Sequence, residues 1–131
     1  MGLDNGCCIR RNEKSMKIYD KLKHYEEDWD KKHEYDFEVC YWRKCYNIRA
    51  LISRAIGGIE DCGDTPLKRE DIPEIITVLK SLNADNWDDN GGSIWEWEDH
   101  EEINGYHIED LEYLYELMGE HDIDVYFYDS Y

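Results

Sequence analysis

Residues 38–56 read EVCYWRKCYNIRALISRAI, and they sort cleanly into helical faces. Advanced by about 100° per residue, Tyr41, Cys45, Ile48, Ile52, Ala55 and Ile56 fall on one side, which predicts a long helix with that side buried. Trp42, Tyr46, Arg49 and Ser53 form a flanking stripe, with Arg43, Asn47 and Arg54 further round. Gly57 and Gly58 follow, residues that tolerate the positive φ of a helix ending. Residues 37–40 suit a short extended entry. In a chain of net charge −17, this stretch gathers Arg43, Lys44, Arg49 and Arg54 beside two large aromatics.

The same residues carry a likeness. Glu38, Val39, Tyr41, Trp42, Arg43, Lys44 and Ile48 match the pattern Glu-Val-x-Tyr-Trp-Arg-Lys-Ala-Asn-x-Ile-His-x-Trp-Phe. In this the chain resembles a family of uncharacterised small phage and prophage proteins. Gly2-Leu3-Asp4, Asp61-Cys62-Gly63 ahead of Arg69-Glu70, and Glu109-Asp110-Leu111 agree in order, so the resemblance covers most of the chain. It departs at Tyr46, where the family has Asn, and at Arg49, where it has His. The resemblance implies a phage-type origin and no particular activity.

Upstream, residues 2–11 read as a short strand with a basic tip. Residues 12–30 place Ile18, Leu22, Tyr25 and Trp29 on a thin apolar stripe, predicting an amphipathic helix whose charges run against its dipole. Downstream, residues 59–67 read as a loop. Residues 69–83 predict a helix burying Ile72, Ile75, Ile76, Leu79 and Leu82, with Pro73 tolerated in its first turn. Residues 84–93 are a polar loop. Residues 94–99 alternate as a strand, Trp95 and Trp97 against Glu96 and Glu98. A turn over 101–105 then leads into a helix over 106–119 with Ile108, Leu111, Tyr115 and Met118 inward. In residues 122–128, Ile123, Val125 and Phe127 alternate with Asp124, Tyr126 and Tyr128, as in a sheet with one face packed on helices. The expected class is α+β: a small, mostly antiparallel sheet against three to four helices, in one domain.

Charge is split along the chain. Residues 1–80 hold all 15 Lys and Arg with 16 acids, whereas residues 81–131 hold 16 acids and no Lys or Arg. Such a surface repels itself unless a partner or a fold neutralises it. Its sign argues against direct nucleic-acid binding, and no apolar run approaches the length that spans a bilayer. Five cysteines without a C-x-x-C pair point to reduced thiols in a cytoplasmic setting and to no zinc site.

Three constellations bear on function. Trp42, Arg43, Tyr46 and Arg49 could hold a planar anion such as a nucleotide signal, by a guanidinium fork and a stacking ring. The block Trp95–His100–Glu102 is dense in carboxylates but lacks regular oxygen-ligand spacing for Mg²⁺ or Ca²⁺. Cys62, between Asp61 and Asp64, lacks the positive charge that would stabilise a thiolate. No metal, cofactor or catalytic set is expected. The leading expectation is a non-enzymatic phage-type protein whose acidic face imitates nucleic acid toward a basic host protein of the defence or DNA-binding kind. Asp85, Asp88, Asp89, Glu96, Glu98, Asp99, Glu101, Glu102, Glu109 and Glu112 are the candidate contacts, with Asp110 and Glu116 beside them.

Overall fold

The computed structural model describes residues 3–27, 30, 32–87 and 96–130. Its centre is a four-stranded antiparallel sheet in the order β2-β1-β4-β3. β1 (Asp4–Ile9) pairs with β2 (Phe37–Arg43) on one side and β4 (Val125–Ser130) on the other, so the two ends of the chain lie side by side. β3 (Asp64–Leu67) pairs with β4 and forms an edge, where Pro66 is tolerated because no inner ladder needs its N–H. Three helices, α3 (Tyr46–Ile56), α4 (Asp71–Lys80) and α5 (Trp97–Glu120), pack in sequence, α5 also meeting β2. The expected α+β class is the observed one. No helix among the described residues is long and apolar enough to cross a membrane.

The core lies between the helices and one sheet face. Cys7, Ile9, Phe37, Trp42 and Phe127 meet Ile48 and Ile52 of α3, Ile72, Ile75 and Leu79 of α4, and Leu111, Leu114 and Leu117 of α5. The alternation expected for the last strand is present: Ile123, Val125 and Phe127 join the core, while Tyr128 shares the opposite face with Gly6 across the ladder. The strand itself runs two residues further than expected, to Ser130.

Residues 38–56 are not one helix. They form β2, a break, and then α3. The register shifts between Cys7 and Cys8, which face Cys40 and Glu38, leaving Val39 as the extra residue of a β-bulge. A bulge sends two successive residues to one side. Phe37, Val39, Cys40 and Trp42 are therefore all buried, a spacing that imitates a helical period in a strand. Lys44 at φ 51° ends the strand, its N–H donating to Leu3 O at 2.6 Å, and the helix begins two residues later. Gly57, at φ 88°, closes α3 as expected.

Other expectations change for equally local reasons. The helix over 12–30 is broken into α1 (Glu13–Met16), α2 (Tyr19–Leu22) and a 3-10 turn (Lys23–Tyr25). Asn12 caps α1 through Lys14 N and Ser15 N, and the Ser15 hydroxyl accepts from Asn12 N in return. Trp29 lies outside the described residues. The loop over 59–67 contains β3. Residues 97–105 are helical, not a strand and a turn, because α5 points His100, Asn104 and His107 inward ahead of Leu111. Those polar residues hide the helical period. Ile94 and Trp95 lie outside the described residues.

Gly6 makes the sheet's central crossing possible. A Cβ there would sit 2.6 Å from Cys40 O and collide with the Tyr128 ring. Gly57 by contrast has open space around its Cβ direction. Gly6→Ala is expected to cost about 2–3 kcal/mol in urea unfolding, and Gly57→Ala only about 1 kcal/mol of backbone strain. Equal costs would show that the Tyr128 ring and β2 yield freely.

Candidate functional site

Asp129 sits at the inner end of β4 with its carboxylate fully buried. Arg49 from α3 grips it with both arms of its guanidinium, Nε to Oδ1 at 2.8 Å and Nη2 to Oδ2 at 2.9 Å. Asn5 Nδ2 donates to Oδ1 at 2.6 Å and Cys62 N to Oδ2 at 3.1 Å. Cys62 holds φ 51°, within the loop that Arg49 also reaches through Asp61 Oδ1 at 2.6 Å. Burial alone would raise the Asp129 carboxyl, but these donors more than offset it and hold the group below the usual carboxylate value.

This geometry separates the four residues of the expected ligand cluster. Trp42 is completely buried, edge-on to His107 at 5.1 Å and beside Phe127 at 6.4 Å, so its ring offers no face to a molecule from solvent. Arg43 is exposed at the end of β2, and Tyr46 is 40% exposed at the start of α3. Arg49 is engaged internally. The cluster depended on a single helix through 42–49, and the strand–helix break between Arg43 and Tyr46 removes that premise.

The acidic set is mostly one surface. Glu98, Asp99, Glu101, Glu102, Glu109, Glu112 and Glu116 are all exposed along α5, and Glu96 is exposed just before it. Glu98, Glu102, Glu109, Glu112 and Glu116 follow each other at spacings of three, four or seven residues, which aligns them on the outer stripe. Among the described residues this stripe shows one ion pair, Lys80 Nζ to Glu112 Oε1 at 3.8 Å. Asp110 is turned aside, accepting from the Tyr25 hydroxyl at 3.0 Å. Asp85 is exposed in the turn after α4, and Asp88 and Asp89 lie outside the described residues.

Several cations of the first 80 residues are spent elsewhere. Arg10 meets Asp36 and Asp64, Arg11 meets Glu26 and Asp30, and Lys14 meets Asp122 and Asp124. His100 does not join the carboxylates around it. It lies buried and stacked on Trp87 at 4.1 Å, and burial lowers its pKa to about 4, which keeps it neutral at pH 7. Among the described residues, no three or more His, Cys, Asp or Glu side chains group to hold a metal ion. Cys62 is exposed while His100 and His107 are buried beneath α5.

A second concavity escaped the sequence reading. On the sheet face away from the helices, Cys8 pairs across the ladder with both Glu38 and Tyr126, and Tyr128 follows on the same strand. Residues from the segment before β2 arch beside them and enclose a pocket of about 370 Å³. The alternating Tyr126 and Tyr128 were the available signal; placing Glu38 beside them needs the register, which the bulge displaces.

Asp129 yields a pH prediction. A depressed carboxyl pKa contributes stability that is present above the unfolded value, about 3.9, and lost as pH falls through the folded one. Asp129→Asn should therefore cost about 3 kcal/mol at neutral pH, by stranding Arg49 and its neighbours. In urea unfolding across pH, the gap between the two proteins should close on acidification below about pH 4. A gap that stays constant would mean that the Asp129 charge is not what the node relies on.

The chain matches no family model, no curated protein and no solved structure.

Proposed function

We propose that this chain is a non-enzymatic, phage-type accessory protein that acts in the cytoplasm of an infected bacterium. Its acidic face would occupy the cleft of a basic, DNA-handling host protein in place of nucleic acid. The observation that carries this reading is the outer stripe of α5. From Glu98 to Glu116 it runs about 27 Å along one helix. Carboxylates held at regular spacing on a rigid rod are the protein counterpart of a phosphate strand, and they steer a positively charged cleft toward the chain.

The pattern of internal pairing supports the same reading. Lys14 is drawn to Asp122 and Asp124, beyond the C-terminal end of α5, and Arg49 to Asp129. A fold that merely needed neutrality would bring its cations to the longest acidic element, and only Lys80 reaches the stripe among the described residues. The phage-type origin rests on the motif residues from Glu38 to Lys44, which in this fold build β2 and its junction with α3. Counter-defence would be one use of such a protein, as an inhibitor of a nuclease or restriction factor.

The test is capture from nuclease-treated host lysate, followed by competition. A basic protein should be retained at low salt, released by added duplex DNA, and bound about tenfold or more weakly by the Glu98→Lys/Glu102→Lys/Glu109→Lys variant. Retention that survives both DNA competition and charge reversal would overturn the proposal, as would the absence of any basic protein among those retained.

A further inference from the structure

We propose that the pocket on the open sheet face binds an organic ammonium group between Tyr128, Tyr126 and the Glu38 carboxylate. The site is separate from the outer stripe of α5 and stands whether or not that stripe binds a host protein.

Four tyrosines wall this 370 Å³ pocket, Tyr25, Tyr35, Tyr126 and Tyr128, and Cys8 lies at its base. Four carboxylates complete it, Glu27, Asp30, Asp36 and Glu38. Among the described residues no Lys, Arg or His contributes to the lining. Aromatic faces and carboxylates share one preference: both attract a cation, the rings through their quadrupole and the acids through their charge. An anion or a neutral sugar would find few donors here, because three of the four phenol hydroxyls already point at acids. Tyr126 donates to Asp36 Oδ2 at 2.6 Å, Tyr128 to Glu38 Oε2 at 3.2 Å, and Tyr25 to Asp110.

The charges do not balance within the pocket. Asp30 is met by Arg11, and Asp36 by Arg10 and the Arg11 N–H. Among the described residues Glu38 has no cation partner, and its one hydrogen-bond donor is the Tyr128 hydroxyl. Burial raises its carboxyl pKa, and the nearby Glu27 and Asp4 raise it further. A half-buried carboxylate in that setting gains most from an added positive charge.

The molecule itself shows that one of these rings accepts a cation. The Arg10 guanidinium lies 4.0 Å from the centroid of Tyr126. Arg10 lines the neighbouring hollow beside Asp64 and Pro66 instead of the tyrosine pocket, so the latter is left for a ligand. Gly6 holds the floor: with no Cβ, it lets the Tyr128 ring lie against the sheet in a fixed position. A metal ion fits less well, since carboxylates separated by phenol rings do not converge as an oxygen cage. The volume suits an alkylammonium head with a short chain. A free polyamine and a lysine side chain of a partner present the same chemistry.

Spermidine and Nα-acetyl-lysine methylamide are the probes, each titrated into the ¹⁵N-labelled full chain, with NaCl at equal ionic strength as the control. The proposal expects saturable amide shifts at Cys8, Glu38, Tyr126 and Tyr128 beyond those of NaCl. Glu38→Gln, which is isosteric, should weaken binding about tenfold with an unchanged melting temperature. Tyr128→Leu, checked for fold by the same spectrum, should weaken it similarly. Saturation by spermidine alone would assign a free polyamine; saturation by both would assign a lysine side chain as an occupant as well. Shifts that only reproduce the NaCl control, or binding indifferent to both substitutions, would overturn the proposal.

Discussion

The ion pair between Arg49 and Asp129 is the constraint on which the remaining arrangement depends. A carboxylate buried at the end of the last strand is tolerable only when its lone pairs are filled and its charge is met. Three separate pieces of chain supply that to β4: β1 through Asn5, α3 through Arg49, and the loop before β3 through Cys62 N. The node ties the first strand to the last and fixes how the first helix of the packed layer crosses them. It also engages the most suggestive residue in the sequence, since the Nε and Nη2 edge of Arg49, the fork that would grip a phosphate, is turned to Asp129.

That use of Arg49 is one instance of a wider division of charge. Arg10, Lys14 and Arg49 are absorbed at the ends and edges of the sheet, by Asp36, Asp64, Asp122, Asp124 and Asp129. The side chains of α5 that face the core are His100, Asn104, His107 and three leucines, and its outward stripe carries carboxylates almost alone. Two surfaces of different character follow. The helix presents an extended negative array suited to a broad, salt-sensitive interface, whereas the far side of the sheet presents a small aromatic and acidic hollow suited to a single cationic group.

Much of this was readable from local pattern. The last strand declared itself because Val125 and Phe127 alternate with Tyr126 and Tyr128 and no bulge interrupts them. The helix over 71–80 declared itself through Ile72, Ile75 and Leu79. Reading failed where one rule imitated another. In β2 the bulge at Val39 gives Phe37, Val39, Cys40 and Trp42 a spacing close to that of a helix, so a strand and a helix were merged. At the start of α5 the inward positions are His100, stacked on Trp87, Asn104, which donates to Leu79 O, and His107, edge-on to Trp42, and these polar residues break the apolar rhythm. The acidic surface was visible as composition, but its alignment along one helix needed residues 97–105 to be helical. The tyrosine pocket required the register of three strands and was beyond any reading of spacing.

The central claim is that the stripe of α5 carries charge that the fold leaves largely unmatched. Its most direct test is the melting temperature as NaCl is raised from low ionic strength, in the wild-type chain and in Glu98→Gln/Glu102→Gln/Glu109→Gln. Unmatched carboxylates repel one another, and salt screens that repulsion. The account predicts that the melting temperature rises with salt and that the rise shrinks in the neutralised variant. A melting temperature that falls with salt, or a rise of equal size in both proteins, would mean that the stripe is already compensated and would contradict it.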